Sequence, residues 1–332
     1  MKANIYINAI KQISAQKALC EEWFEKPIYY SENFVKSLDE DYRQYFSPNE
    51  VRRLGKMLKR ALLTARKALE SNENKSLDAI ITGTGLGCLE NTELFLDRMV
   101  RQGEQMLNPT QFMNSTHNTI SSLIAIDTGC KGYNSTHTHN GVSFEHALFD
   151  AVMLLNKDNN TTAMVCGHDE MTPTYFNFLQ KAGYLGQQGE TFASETALAM
   201  LLSRQQTDYS FCKIEAIDIL YGQPSDIVNI YKPPTEIDAI MTGINGCDKN
   251  DNIYTDVCGK LFADTPILQY KNIFGENYTA SALGIYVAAE CIKLGVVPLH
   301  LLYNKKRPKS IRKILSYNHF GGKNHAFVLL SK

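Results

Sequence analysis

The sequence predicts an α/β protein in which two sheets enclose two central helices, with the chain running through that plan twice. Three observations predict it. Residues 142–155 and 278–294 are helix-length segments whose apolar side chains fall almost all the way round, the mark of a buried helix. Each follows a short polar elbow, 133–141 in the first case and 271–276 in the second. A third observation is that short apolar strand candidates lie on both sides of each elbow, including 77–82, 162–167, 237–242 and 267–270. Alternating strands and helices of this kind build layered sheets.

Composition narrows the function. The 332 residues suffice for one large unit or two closely packed halves. A formal net charge of −1 carries no footprint for nucleic acid. Eight cysteines are scattered singly with no CxxC pair, which favours reduced thiols and a cytoplasmic setting over a disulfide framework or a zinc site. No apolar run approaches the ~20 residues that a membrane span requires, and Asn4, Asn8 and Lys11 interrupt any signal-peptide core.

In chain order, residues 5–7 open a short strand. Ser47, Pro48 and Glu50 form a helix start, a capping residue followed by proline and by a glutamate three places on. Leu54, Leu58, Ala61, Leu62, Ala65 and Leu69 then share one face of a helix running to about Ser71. The strand at 77–82 ends in Gly83, Thr84, Gly85, Leu86 and Gly87. This turn fits a dinucleotide fingerprint poorly: its third glycine comes too early, and Glu90 and Glu93 would repel a pyrophosphate. Helices are expected over 91–106 and 118–127, and a strand over 194–203. From Phe211 the pattern restarts, with strands at 214–220, 237–242 and 267–270, the second elbow and helix, a basic stretch at 305–313, and a closing strand at 326–330. Lys232, Pro233 and Pro234 read as a local turn.

Read together, these segments resemble the β-ketoacyl synthases, the condensing enzymes of the thiolase fold, over nearly the whole chain. DAIITGTGLGCLENTE at 78–93 resembles the family's strand and glycine turn. THTHNG at 136–141 resembles its nucleophile elbow, and VCGHDE at 165–170 the strand behind it. KNIFG at 271–275 resembles the lysine motif of the second half, and NHFGGKN at 318–324 the C-terminal glycine loop. The resemblance implies a thiolase-like αβαβα layering with pseudo-repeated halves, 1–205 and 206–332, packed as one unit.

The departures bear on chemistry. The family carries an acyl chain on a cysteine and uses two histidines on the malonyl thioester. Here the cysteine position holds Thr138, the first histidine position Asn245 and the second Glu276, while only Lys271 matches. A threonine hydroxyl is too weakly acidic to act without a base. A carboxylate at Glu276 opposes the enolate that condensation develops. No catalytic residue is therefore expected, and neither a cofactor nor a metal.

Other readings compete at the same residues. His117, His137, His139 and His146 could form a metal site, but no acid or cysteine follows at ligand spacing. Cys130, Cys166 or Cys247 could be a displaced nucleophile, although cysteine often serves as a small buried hydrophobe. Thr138 could act with His137 or His139 as a hydrolase or acyltransferase. The basic run at 305–312 reads as a solvated face or as a docking patch for an acidic carrier protein.

The resemblance supplies a precedent for a cysteine-less member: the chain length factors that pair with an active ketosynthase in polyketide and aryl polyene pathways. Family members dimerise through the strand beside the elbow. By that precedent the partners are a ketosynthase subunit, or a second copy, and an acyl carrier protein. Phe144, Phe149 and Phe320 would wall or gate an acyl tunnel.

Overall fold

The computed structural model describes residues 1–71, 76–159 and 161–332. The first half comprises β1 (Lys2–Ile13), α1 (Pro48–Val51), α2 (Lys56–Glu70), β2 (Ala79–Gly83), α3 (Leu89–Gln102), α4 (Pro109–Ser115), α5 (Thr119–Thr128), β3 (Tyr133–His137), α6 (Ser143–Leu155), β4 (Thr162–Asp169), α7 (Pro173–Lys181) and β5 (Thr196–Ser203). The second comprises β6 (Cys212–Tyr221), α8 (Pro224–Ile230), β7 (Ala239–Thr242), α9 (Asp248–Leu261), β8 (Ile267–Gln269), α10 (Lys271–Phe274), α11 (Ala280–Leu294), β9 (Lys313–Phe320) and β10 (Asn324–Ser331).

The strands lie in the order β3-β2-β4-β5-β1-β6-β10-β9-β7-β8. Numbered within its own half, each set of five follows the same order, 3-2-4-5-1, and the two sets meet back to back at β1 and β6. In both, the outer three strands are parallel and the inner contacts antiparallel. The structure joins the halves through antiparallel β1–β6 pairing, Ile5 opposite Ile214, so the two expected sheets are continuous.

Strand alternation builds the layers. Ala79, Ile81, Ala163 and Val165 face inward, as do Ala239 and Met241 of the second half, and they pack on α6 and α11 in one shared core. Ile80, Met164 and Cys166 point outward under α2 and α5. Ile240, Leu315 and Phe327 point outward under α8 and α9. The result is helix, sheet, helix pair, sheet, helix. The central pair lies between the sheets: α11 is enclosed from Ala280 to Ile292, whereas α6 leaves one side, His146, Asp150 and Met153, partly open.

Four expectations need correction. Residues 133–137 are a strand, not part of a turn-forming elbow. The helix expected to run from Pro48 to Ser71 breaks into α1 and α2 at Gly55, where a Cβ would lie 2.6 Å from Asn91 Nδ2. The opening strand extends to Ile13. β9 went unforeseen beyond its basic first residue.

Candidate functional site

The first elbow lies where β3 ends beside β2. Parallel pairing sets His137 opposite Gly83, and Thr84 N–H donates to His137 O at 3.0 Å. The chain then turns sharply: Asn140 takes φ +51°, in the left-handed region. Ser143 Oγ stitches the turn, accepting from His139 N–H at 2.8 Å and donating to Asn140 O at 2.7 Å. Gly83 is required for this approach, since a Cβ there would sit 2.6 Å from Ser143 and Phe144 backbone atoms. Gly141 lies equally close to the Phe320 ring.

Thr138 itself is exposed, and its hydroxyl has no hydrogen-bond partner among the described residues. The nearby histidines are engaged elsewhere. His137 Nε2 is 2.9 Å from Asp150 Oδ2, which also accepts from Tyr133 OH at 3.0 Å. His139 stacks on His146 with ring centroids 3.9 Å apart. Burial lowers both pKa values, that of His146 to about 4, with charge from neighbouring histidines adding to the effect. Two faces of stacked imidazoles do not converge on a common point, and no metal-holding cluster of His, Cys, Asp or Glu occurs among the described residues.

The second elbow is built differently. Lys271, buried at the start of α10, places Nζ 2.6 Å from Glu276 Oε2. Asn245 Nδ2 donates to the same oxygen at 2.7 Å. Asn245 is held in turn: its N–H and that of Gly246 donate to Asp251, and its Oδ1 accepts from Cys247 N–H at 3.1 Å. The Glu276 backbone is locked against Phe192 and Ser194. Three of the four positions singled out in the sequence thus form one bonded cluster.

Thr138 is tied to this cluster only through intermediaries. Asn318 Nδ2 donates to Gly141 O and to Glu145 Oε1, both at 2.8 Å. Tyr254 OH donates to Asn318 Oδ1 at 3.1 Å and lies against Gly243, next to Lys271 Nζ. Glu145 is buried; desolvation pushes its carboxyl up to about 7, with Ser281, Asn318 and Lys271 among the groups opposing the rise. Glu145, Tyr254 and Asn318 were not foreseen as site residues. The available signal for Glu145 was an acid in the first turn of a largely apolar helix, one of two acids in α6 with Asp150.

The remaining candidates also find places. Phe144 is fully enclosed, its ring beside Gly167 in the central core. Phe149 is half-buried against the same core. Phe320 stands at the elbow, 5.9 Å from the Tyr278 ring. Cys166 lies under α2 and α5 on the outer face of the sheet, and burial drives its thiol up to about 12, which makes a poor nucleophile. The glycine turn after β2 is already filled. Gly85 and Leu86 N–H groups donate to Asp169 at 2.7–3.0 Å, so the chain's own carboxylate occupies the position a phosphate would take. A cavity of about 300 Å³ lined by Tyr30, Phe192, Ile244 and Gln269 opens beside Asn245.

Two elbows at strand ends over paired buried helices, in a twice-run five-strand plan, define a protein of the thiolase-like fold. The family model for the β-ketoacyl synthase N-terminal domain matches residues 32–223, and the chain belongs to the β-ketoacyl synthase family. The ishigamide ketosynthase/chain length factor is similar in structure, with TM-score 0.81, 16% identity and 100% of both chains covered. A β-ketoacyl synthase from Burkholderia phymatum matches at TM-score 0.81, 12% identity and the same coverage. A ketosynthase in complex with its chain length factor from Xenorhabdus doucetiae matches at TM-score 0.75 and 15% identity, over 99% of this chain and 98% of that one. No curated protein matches.

Proposed function

We propose that this protein is the non-catalytic subunit of a ketosynthase heterodimer, a chain-length-factor-like partner in fatty-acid, aryl polyene or polyketide-type biosynthesis in the cytoplasm. The observation that carries the reading is the cluster of Asn245, Lys271 and Glu276. The family's reaction needs donors facing a thioester oxygen and a developing enolate. Here the carboxylate of Glu276 takes both the Lys271 ammonium at 2.6 Å and the Asn245 amide at 2.7 Å, so these donors are spent on a side chain. At the other elbow Thr138 has no base.

The partner-facing edge supports the same reading. β3 ends the sheet with its outer edge unpaired among the described residues, and a bare edge is a template for another strand. On β3 and on α5 packed beside it, Tyr133 is 45% exposed and Ile126 79% exposed. In this role the halves 1–205 and 206–332 act as one packed unit, and an acyl carrier protein serves the complex. Phe320 at the elbow, backed by Phe144 and Phe149, limits the chain that the active subunit can extend.

The test is co-expression with a cysteine-bearing ketosynthase of the same organism. A stable one-to-one complex is expected, with longer products when Phe320 is changed to alanine. Failure to associate, or product lengths indifferent to Phe320, would overturn the proposal. An acyl adduct on this chain alone, seen by intact mass after incubation with acyl carrier protein, would instead make Thr138 or a cysteine a nucleophile.

A further inference from the structure

The second surface of note is at the far end of the molecule from β3. A groove of about 510 Å³ has Pro233, Thr235, Glu236, Asp238, Phe262 and Thr265 in its wall, which is more polar than apolar. It lies at the N-terminal ends of β7 and β8, just before Ala239 and Ile267, whereas Asn245 and Lys271 follow the C-terminal ends of the same strands. The groove is therefore at the opposite pole from the elbows. A carrier protein seated there could not pass its arm straight to Thr138, which removes acyl delivery as the reason for the basic run at 305–312.

That run borders the groove and is held in place. Asn304 Oδ1 accepts from Ile267 N–H and Lys306 N–H at 3.1 and 3.3 Å, and its Nδ2 donates to Thr265 O at 3.2 Å. Lys306 Nζ donates to Ala263 O at 3.2 Å. Asp238, in the groove wall, accepts from Ser310 Oγ, Arg312 N–H and Lys313 N–H at 2.7–2.9 Å. Lys305 is held at φ +59°, a conformation that non-glycine residues rarely adopt. Within this fixed loop Lys305, Arg307, Lys309 and Arg312 are exposed and make no ion pair, as is Lys232 beside Pro233. Set against Glu236 and Asp238 of the groove wall, and with Asp264 balanced by Lys306, these five cations leave the rim net positive on a chain of net charge −1. A loop backbone already fixed in this way loses little freedom when a partner arrives.

We infer that this groove docks an acidic segment of a partner protein, an apolar side chain seated against Pro233 and Phe262 and carboxylates meeting Lys232, Arg307 and Lys309. A concave seat distinguishes such a segment from a lipid surface, which would engage the cations and leave the groove unused. The surface is remote from β3, so it stays open in a dimer paired through that strand.

The test uses the full chain and a fluorescein-labelled peptide of repeated Glu-Glu-Leu units, followed by fluorescence anisotropy. Saturable binding that weakens with added salt is expected. The triple charge reversal Lys232→Glu, Arg307→Glu, Lys309→Glu alters only exposed side chains and should weaken it roughly tenfold or more. Thr235→Trp, which fills the groove without changing charge, should weaken it about fivefold. Binding indifferent to Thr235→Trp, or no saturable binding, overturns the inference. Capture by phosphatidylglycerol vesicles with no binding of the peptide also overturns it and assigns the patch to lipid.

Discussion

The two elbows occupy equivalent places in the two halves, one after β3 and one after β8, and they have opposite characters. The first is open: Thr138 is exposed and unpartnered, and its histidines face away from it. The second is closed on itself, with a buried Lys271 and half-buried Asn245 and Glu276 satisfying one another. The difference teaches that the scaffold tolerates loss of chemistry in two ways. An exposed position becomes inert by dropping a reactive atom, because water satisfies whatever remains. A buried position must replace one set of charges with another that balances, because an unpaired ion there is costly.

The sharpest way to break this comparison is to remove one group from each elbow. Glu276→Ala strands the Lys271 ammonium in a buried site, and a loss of about 3 kcal/mol in unfolding free energy is expected by urea denaturation. Thr138→Ala should stay within about 0.5 kcal/mol of the parent. Equal losses at both would erase the distinction.

A second test reads the pH dependence of the link between them. Glu145 ordinarily titrates near 4.5 and is pushed up to about 7 in the fold, chiefly by burial. A raised carboxyl pKa means that the folded state holds the proton more tightly than the unfolded chain. Its stabilisation is full below pH 4.5 and is lost as pH rises through about 7. Glu145→Gln keeps an acceptor for Asn318 without the titration. The variant should match the parent near pH 4.5 and exceed it by about 2–3 kcal/mol at pH 8, measured by chemical unfolding at each pH. A difference independent of pH would show that Glu145 does not couple to folding.

The smallest effect concerns the turn itself. Gly141→Ala sets a methyl 2.6 Å from the Phe320 ring, a half-buried side chain that can shift. About 1–2 kcal/mol is expected, and much less in Phe320→Ala, where the obstruction is gone.

Much of this was legible from residues alone. The central helices were plain because apolar residues such as Val152 and Leu155, or Ile285 and Ala289, fall on most sides, and β2, β4 and β5 because they are largely apolar runs. Asn245, Lys271 and Glu276 were singled out together, and they touch. What escaped were segments whose polarity serves the site or the edge. Tyr133–His137 carries no apolar alternation because an edge strand buries little. β9 hides its strand character behind Asn318 and His319, which point into the network around Tyr254. Glu145 could not be assigned because its meaning depends on Asn318 and Lys271, 173 and 126 positions away along the chain by their numbering.

The strand order has one more consequence. At the β8 margin Leu302 bridges Leu268, and Tyr303 N–H donates to Ile267 O, so that side is already capped. The β3 margin carries no such cap among the described residues. A molecule with one sticky end has a valence of one. Any association through that edge would use it up, leaving no second open sheet edge among the described residues for a third molecule.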